Sequence, residues 1–322
     1  MSTPEEGLRP EEFAEAAAAA IRDALQHLPH DARQAAQVLA QAGLTGVCAR
    51  EDDGGLGLDI AFAVPIAHAA GQLQLTFPLV EQLLLARALP GTPEGAALAA
   101  GDKIATVAWQ GDLKQGLAGP ARHAPVCDWA LVPDGEGAAL IGLNGLKAVA
   151  DTALDPDHPA HWLHTADAVV LARLDADAWA TLQHQARLLM AALANGAADG
   201  ALDAAVQHTV TRVQFGRPLA TRQAVRHHLA RMKLVQEVSA AAIRRVLSAN
   251  EYGQARASHT ALTSTLANAA FVIEKAIHLH GGMGFTWAVP LHRALREVRQ
   301  LDAALGADQM ARHAGRQFIE AA

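Results

Sequence analysis

The chain has 322 residues, of which 51% are hydrophobic, 18% charged and 4% aromatic, with a formal net charge of −7. Such a length spans two or three domains, or one large one, and buries a core without disulfides or metal. The hydrophobic content excludes disorder, the acidic balance argues against a nucleic-acid binder, and two cysteines, Cys48 and Cys127, are too few for a disulfide framework or a zinc site.

Met1–Glu6 lacks the basic and apolar regions of a signal peptide. The apolar stretches are broken by proline, histidine or charge well before ~18 residues, so no membrane span is expected. A soluble protein of the reducing cytoplasm is the expectation. Alanine abounds and Tyr252 is the only tyrosine, a composition that favours closely packed helices over a sheet sandwich.

Residues 10–100 read as helical. Glu11–Leu28 is alanine-dense with early acids, as a helix N-terminus prefers. A second helix runs from an Asp31 cap to a stop at Gly43. The loop Arg50–Leu58 carries three glycines and three acids, which mark a turn rather than a phosphate cradle. Two more helices are expected near 58–72 and 78–89, the last ended by Pro90 and Gly91.

Residues 103–175 change character. Short apolar or β-branched runs start at Lys103, Trp129, Ala138 and Ala168 and are bounded by Gly, Pro and Asp, which predicts a small β-domain of four to six strands. Long helices return over 176–320: Ala178–Arg212, with Gly196 and Gly200 four apart to admit a neighbouring helix; Arg222–Asn250, striped by Leu229, Met232, Val235, Val238 and Ala242; Ser258–Leu279; and a fourth from Pro290 to Leu305. No internal repeat is evident. The division is 1–102 helical, 103–175 β, and 176–322 a helical bundle.

Two segments carry chemistry. In Arg212-Val-Gln-Phe-Gly-Arg-Pro, a helix gives way to a turn and a new helix starts near Thr221. An arginine at the entry and Gln223 at the next helix start present a planar cation and an amide together, which suits a pyrophosphate or nucleotide. An ordinary connector with surface arginines satisfies the same spacing. In His278-Leu-His-Gly-Gly-Met-Gly-Phe-Thr, the glycines permit close backbone approach to a ligand, although a helix C-cap explains Gly281 equally. His278 and His280 lack a matching carboxylate or thiol cluster, so no metal is expected.

In this order and about seventy residues apart, the two segments resemble the C-terminal helical domain of the acyl-CoA dehydrogenase family: Arg-x-x-Phe-Gly, then a spaced Gln, then Gln-x-x-Gly-Gly-x-Gly-Phe/Tyr-Thr. Gly43-Leu-Thr-Gly-Val-Cys and Asp53-Gly-Gly-Leu-Gly-Leu look like the turn between the family's N-terminal helices. Pro120–Pro133 looks like part of its middle β-domain. The likeness covers nearly the whole chain. It implies a mainly α fold with a reduced middle β-domain between an N-terminal helical domain and a C-terminal four-helix bundle.

The resemblance also implies chemistry. Family members bind FAD and remove two hydrogens from an acyl-CoA thioester; a glutamate takes the α-proton and flavin N5 accepts the β-hydride. They form tetramers in which a neighbour's C-terminal domain caps each flavin. Carried over, Arg212, Phe215 and Gln223 match positions on the adenine and pyrophosphate side of the neighbour's FAD. Gly281 and Gly282 match the glycine pair lying along it. His278 stands where glutamine is common and still donates a hydrogen bond.

Two departures stand out. With Arg296-Glu297 matched to the family's Arg-acid pair, the glutamate position falls at Leu305, before Gly306, and the other known base position falls at Ala186. Neither side chain abstracts a proton, and Glu297 reads more simply as an ion-pair member. The Gly-Ser-Asp-like and Trp-x-Thr/Ser segments that grip the flavin are missing between 103 and 175. The combination resembles the shortened, baseless subunit of heterotetrameric acyl-CoA dehydrogenases that act on bulky, steroid-derived CoA thioesters. A longer subunit bearing the catalytic glutamate would then be the partner, with FAD shared and electron-transfer flavoprotein as acceptor. A self-sufficient atypical dehydrogenase and a flavin-free scaffold are the alternatives.

Overall fold

The computed structural model describes residues 9–28, 30–151, 154–155, 159–248 and 256–320. Met1–Glu6, Tyr252 and the end of the helix expected to reach Asn250 lie outside them.

The first hundred residues form five helices: α1 (Phe13–His27), α2 (Ala32–Gln41), α3 (Ala63–Gln72), α4 (Leu79–Ala88) and α5 (Pro93–Ala99). Asp31 caps α2, its carboxylate accepting from the Gln34 amide at 2.9 Å. The acidic loop is a turn whose Asp53 carboxylate accepts from Gly91 N at 2.9 Å, tying it to the end of α4. Helix α5 was not expected. Seven residues are too few to show a period, yet Thr92 caps it and Pro93 opens it, as helix starts favour.

The middle segment is a sheet of seven strands rather than four to six: β1 (Ala105–Asp112), β2 (Leu117–Ala121), β3 (Trp129–Asp134), β4 (Gly137–Gly142), β5 (Ala148–Asp151), β6 (Ala160–His164) and β7 (Val170–Leu174). Their order is β5-β6-β2-β1-β3-β4-β7. The pair β1/β3 is parallel and every other neighbouring pair is antiparallel. The four expected strands are β1, β3, β4 and β7. The others lack the usual signal: β2 contains Gly and Pro, β5 is exposed throughout, and β6 holds two histidines.

Helices α6 (Ala176–Thr211), α7 (Gln223–Leu247), α8 (His259–His280) and α9 (Leu291–Leu305) make the bundle, and α10 (Ala307–Glu320) packs beside it on α8 and α9. Between α6 and α7 the chain makes the two-residue ribbon β8 (Val213–Gln214) and β9 (Arg217–Pro218). One core joins the N-terminal helices to the bundle, with Ile21, Leu39, Ile66 and Leu83 in the same cluster as Leu189 and Ile273.

Helix α6, 36 residues long, is the axis of the molecule. It crosses α3 at glycines. A Cβ added at Gly196 would stand 1.9 Å from the His68 carbonyl oxygen, and one at Gly71 would stand 1.9 Å from that of Leu193. Gly200 meets the Gln72 carbonyl in the same way, at 2.6 Å. The close approach read from the Gly196/Gly200 spacing is therefore real, with α3 as the partner. Backbone cannot yield as a flexible side chain does, so Gly196→Ala is expected to lower unfolding stability by roughly 1–3 kcal/mol. The urea midpoint measures it, and an unchanged midpoint would mean that the two helices slide apart at no cost.

Candidate functional site

The end of α6 and the end of α8 lie side by side. The groove between them, about 570 Å³, is lined by Arg212, His278, Gly281 and Gly282 together with His208, Gln214 and Met283. Four of the six residues singled out in the sequence thus converge. Helix α8 stops because Gly281 takes φ +62°, a conformation that glycine adopts freely. A Cβ at Gly281 or Gly282 would meet nothing within 4 Å, so neither glycine is demanded by packing within this chain. Gly284 is different: its Cβ would stand 2.3 Å from the Ile277 carbonyl oxygen. The open space at Gly281 and Gly282 leaves room for an outside group against the backbone.

Phe215 and Gln223 do not line the groove. Phe215 sits at the tip of the β8–β9 turn with φ +54° and is 91% exposed. The Arg222 guanidinium lies 5.2 Å from its ring centre and donates to the Gln214 carbonyl at 3.1 Å, which braces the turn. Gln223 is the exposed first residue of α7. Phe285, Trp287 and Met283 are also exposed beside the groove. Large apolar side chains gathered in water mark a contact surface.

Sequence reasoning missed His208. Its ring stacks on His280 at 4.3 Å, and His280 Nδ1 lies 2.7 Å from the Ala276 carbonyl oxygen. Burial holds the His208 pKa below its ordinary value, and the nearby His280 and Arg212 add to the effect. The signal was present: His208 stands four residues before Arg212, on the same helix face. His278 and His280 belong to no cluster of three or more metal-ligating residues among those described.

A second hollow, about 520 Å³, surrounds Leu305. Its walls are Trp109 and Gln110 of β1, Gln183 and Arg187 of α6, the α9–α10 turn at Ala303–Gly306, and Gln309 and Met310 of α10. Leu305 faces it half-buried, whereas Ala186 is fully buried in the core and does not line it. Gln183 and Arg187 form the α6 wall instead. Among the described residues, no carboxylate lines this cleft. Gln110 Nε2 donates to the carbonyl oxygens of Ala303 and Ala304 at 2.8 and 2.9 Å, fastening β1 to the end of α9.

Glu297 lies elsewhere. Its carboxylate accepts from Arg122 Nη1 at 2.7 Å, and Arg122 Nε donates to Glu81 at 3.0 Å. Burial works against the Arg122 charge, but Glu81 and Glu297 outweigh it and hold the pKa above its ordinary value. Arg122 follows β2, in the β-domain stretch where the sequence shows no flavin-gripping motif. The bundle thus carries an open groove with Arg212 on its wall, and the segment after β2 carries an ion-pair network centred on Arg122. Among the described residues, no helix is long and apolar enough to cross a membrane.

Residues 178–319 match the family model of the acyl-CoA dehydrogenase C-terminal domain. Acyl-CoA dehydrogenase IpdE2 of Mycolicibacterium smegmatis is 27% identical over 274 residues, 83% of this chain and 82% of that protein. A shorter match, to acryloyl-CoA reductase (NADH) of Anaerotignum propionicum, is 31% identical over 35% of this chain and spans only 29% of that protein. Among solved structures, a variant of the steroid ACAD Tcur3481-Tcur3483 superposes with a TM-score of 0.82 at 24% identity, covering 97% of this chain and 98% of that one. The ChsE4-ChsE5 complex from Mycobacterium tuberculosis gives 0.79 at 24% identity, covering 99% and 98%.

Proposed function

We propose that the chain, whose residues 178–319 match the acyl-CoA dehydrogenase C-terminal domain, is the baseless subunit of a heteromeric enzyme of that family, oxidoreductases acting on CH–CH bonds. The observation that carries this is the cleft at Leu305, which no carboxylate lines. Abstraction of an α-proton needs a positioned base, and here a leucine and three glutamines stand instead. A longer partner subunit would supply the glutamate. In this chain the three segments 1–102, 103–175 and 176–322 act as N-terminal, middle and C-terminal domains.

The family is typically FAD-binding, and FAD when bound supplies the two-electron oxidant. This chain's part is to complete the partner's FAD site. Arg212 offers a planar fork of donors to the pyrophosphate. Gly281 and Gly282 let the backbone lie against the cofactor, and His278 donates a hydrogen bond beside them. Phe215 and Gln223 reach out from the turn and the α7 start toward the partner. The exposed apolar side chains around them bury themselves at that contact. A bulky, steroid-derived acyl-CoA is the substrate the reading favours, supported by the likeness to a steroid ACAD, with electron-transfer flavoprotein as acceptor and the cytoplasm as location.

Expressing the full chain alone, and with a longer glutamate-bearing homologue, tests the role. The chain alone is expected colourless and inactive toward acyl-CoA, while the co-purified pair holds flavin and turns over. Bound flavin with turnover in the lone chain would sink the proposal. A pair that copurifies without flavin would leave only a scaffold.

A further inference from the structure

The cleft at Leu305 has lost the carboxylate that its family position calls for, yet it has not closed. It keeps about 520 Å³, inside the ~300–1,000 Å³ common for small-molecule sites. Four elements build it, and Gln110 fixes two of them to each other through the α9 carbonyls. Its chemistry is lopsided. One wall is apolar: Trp109, braced by stacking on Trp179 at 6.2 Å, with Leu305 and Met310. Arg187 lines the same cleft, half-buried and without a hydrogen-bonding or ionic partner among the described residues.

That is unusual for arginine. Burial alone draws the Arg187 pKa below its ordinary value, with no carboxylate to offset it. Its neighbour His184 offers no negative charge. Its ring engages Ser258 Oγ at 3.1 Å, and burial together with the Arg187 charge holds its pKa below the ordinary value. The other polar side chains at the cleft, Gln110, Gln183 and Gln309, are uncharged amides. A half-desolvated guanidinium with no counter-charge is a standing demand for an anion.

We propose that this cleft binds a small apolar carboxylic acid, its carboxylate paired with Arg187 and its body laid against Trp109, Leu305 and Met310. The guanidinium fork matches a carboxylate bidentately, and the apolar wall separates such a ligand from a bare inorganic anion. No chemistry is done on the ligand, since the cleft holds no base. The inference rests on the cleft's own residues and does not need the subunit role proposed above.

Calorimetric titration of the full chain with 2-naphthoate and with its neutral isostere 2-naphthamide tests this. Naphthoate is expected to bind at least tenfold tighter than naphthamide. Arg187→Met should abolish that preference while leaving naphthamide binding as it was, and Arg187→Lys should keep part of it. Inorganic phosphate should bind at least tenfold more weakly than naphthoate. Equal binding of acid and amide, or of phosphate and naphthoate, overturns the proposal, as does binding of neither probe. The acid–amide comparison uses the native chain, so it decides the matter even if Arg187→Met folds poorly. Flavin content and turnover of the partnered enzyme report on the other role, so the two fail separately.

Discussion

Replacing Arg122 by methionine is expected to lower the unfolding free energy by roughly 3–5 kcal/mol, the cost of leaving a buried charge without its partner. Arg122 is 6% exposed and Glu81 is fully buried. The guanidinium reaches Glu81 on α4 through Nε and Nη2, and Glu297 on α9 through Nη1. One side chain from the sheet thus joins the N-terminal helices to the bundle. Methionine fills similar volume, so the loss measures charge rather than a cavity. The gross attraction within the triad is largely spent on desolvation, which yields a second expectation: Arg122→Met combined with Glu81→Leu should recover part of the loss, because the fully buried carboxylate is gone and only Glu297, which reaches water, is left without Arg122. Urea unfolding reads both, through the midpoint at constant slope. A single-variant loss below about 1 kcal/mol would mean that water reaches Glu81 and that the triad is no clasp.

The triad shows where sequence reading stops. Its members are separated by 41 and 175 residues, and no local pattern links them. One sign was available. Helix α4 is buried from Leu79 to Ala86, and Glu81 is the lone acid within that apolar run. A carboxylate so placed needs a cationic partner, although its spacing does not say which. The long helices were legible from the apolar stripe along α7, the Asp31 cap and following Gly43 of α2, and the glycine at which α8 stops. Strands β2, β5 and β6 were not, because they are held by neighbours rather than by their own composition. The candidate site was legible as motif and incomplete as geometry. Arg212 and the double glycine were found by spacing, and the groove between them proved real. The position matched to Ala186 turned into the core, because one residue along a helix rotates a side chain by about 100°. Gln183 and Arg187, one turn apart, face the cleft instead.

Within the partnered enzyme, Arg212→Ala is expected to weaken FAD retention by roughly 1.5–3 kcal/mol, on the order of 10- to 150-fold in dissociation constant. The magnitude follows from losing charge-assisted hydrogen bonds to a pyrophosphate, which are stronger than neutral ones. Fold stability should hardly move, since Arg212 is exposed at the C-cap of α6 and makes no ion pair among the described residues. Arg212→Lys should fall between, keeping the charge but losing the planar fork. Arg217→Ala is the matched control: it removes an exposed arginine from the same ribbon, on β9, outside the groove. Rising salt should narrow the gap between wild type and Arg212→Ala, because screening weakens the wild-type contact and leaves the variant nothing to lose. With FAD in excess the variant should regain turnover, since Arg212 holds the cofactor and the base belongs to the partner. Equilibrium dialysis of the co-purified complex against free FAD reads the affinity directly. If Arg212→Ala and Arg217→Ala retain FAD equally well, the groove does not reach the cofactor, and the apolar rim around Phe215 and Phe285 serves subunit contact alone.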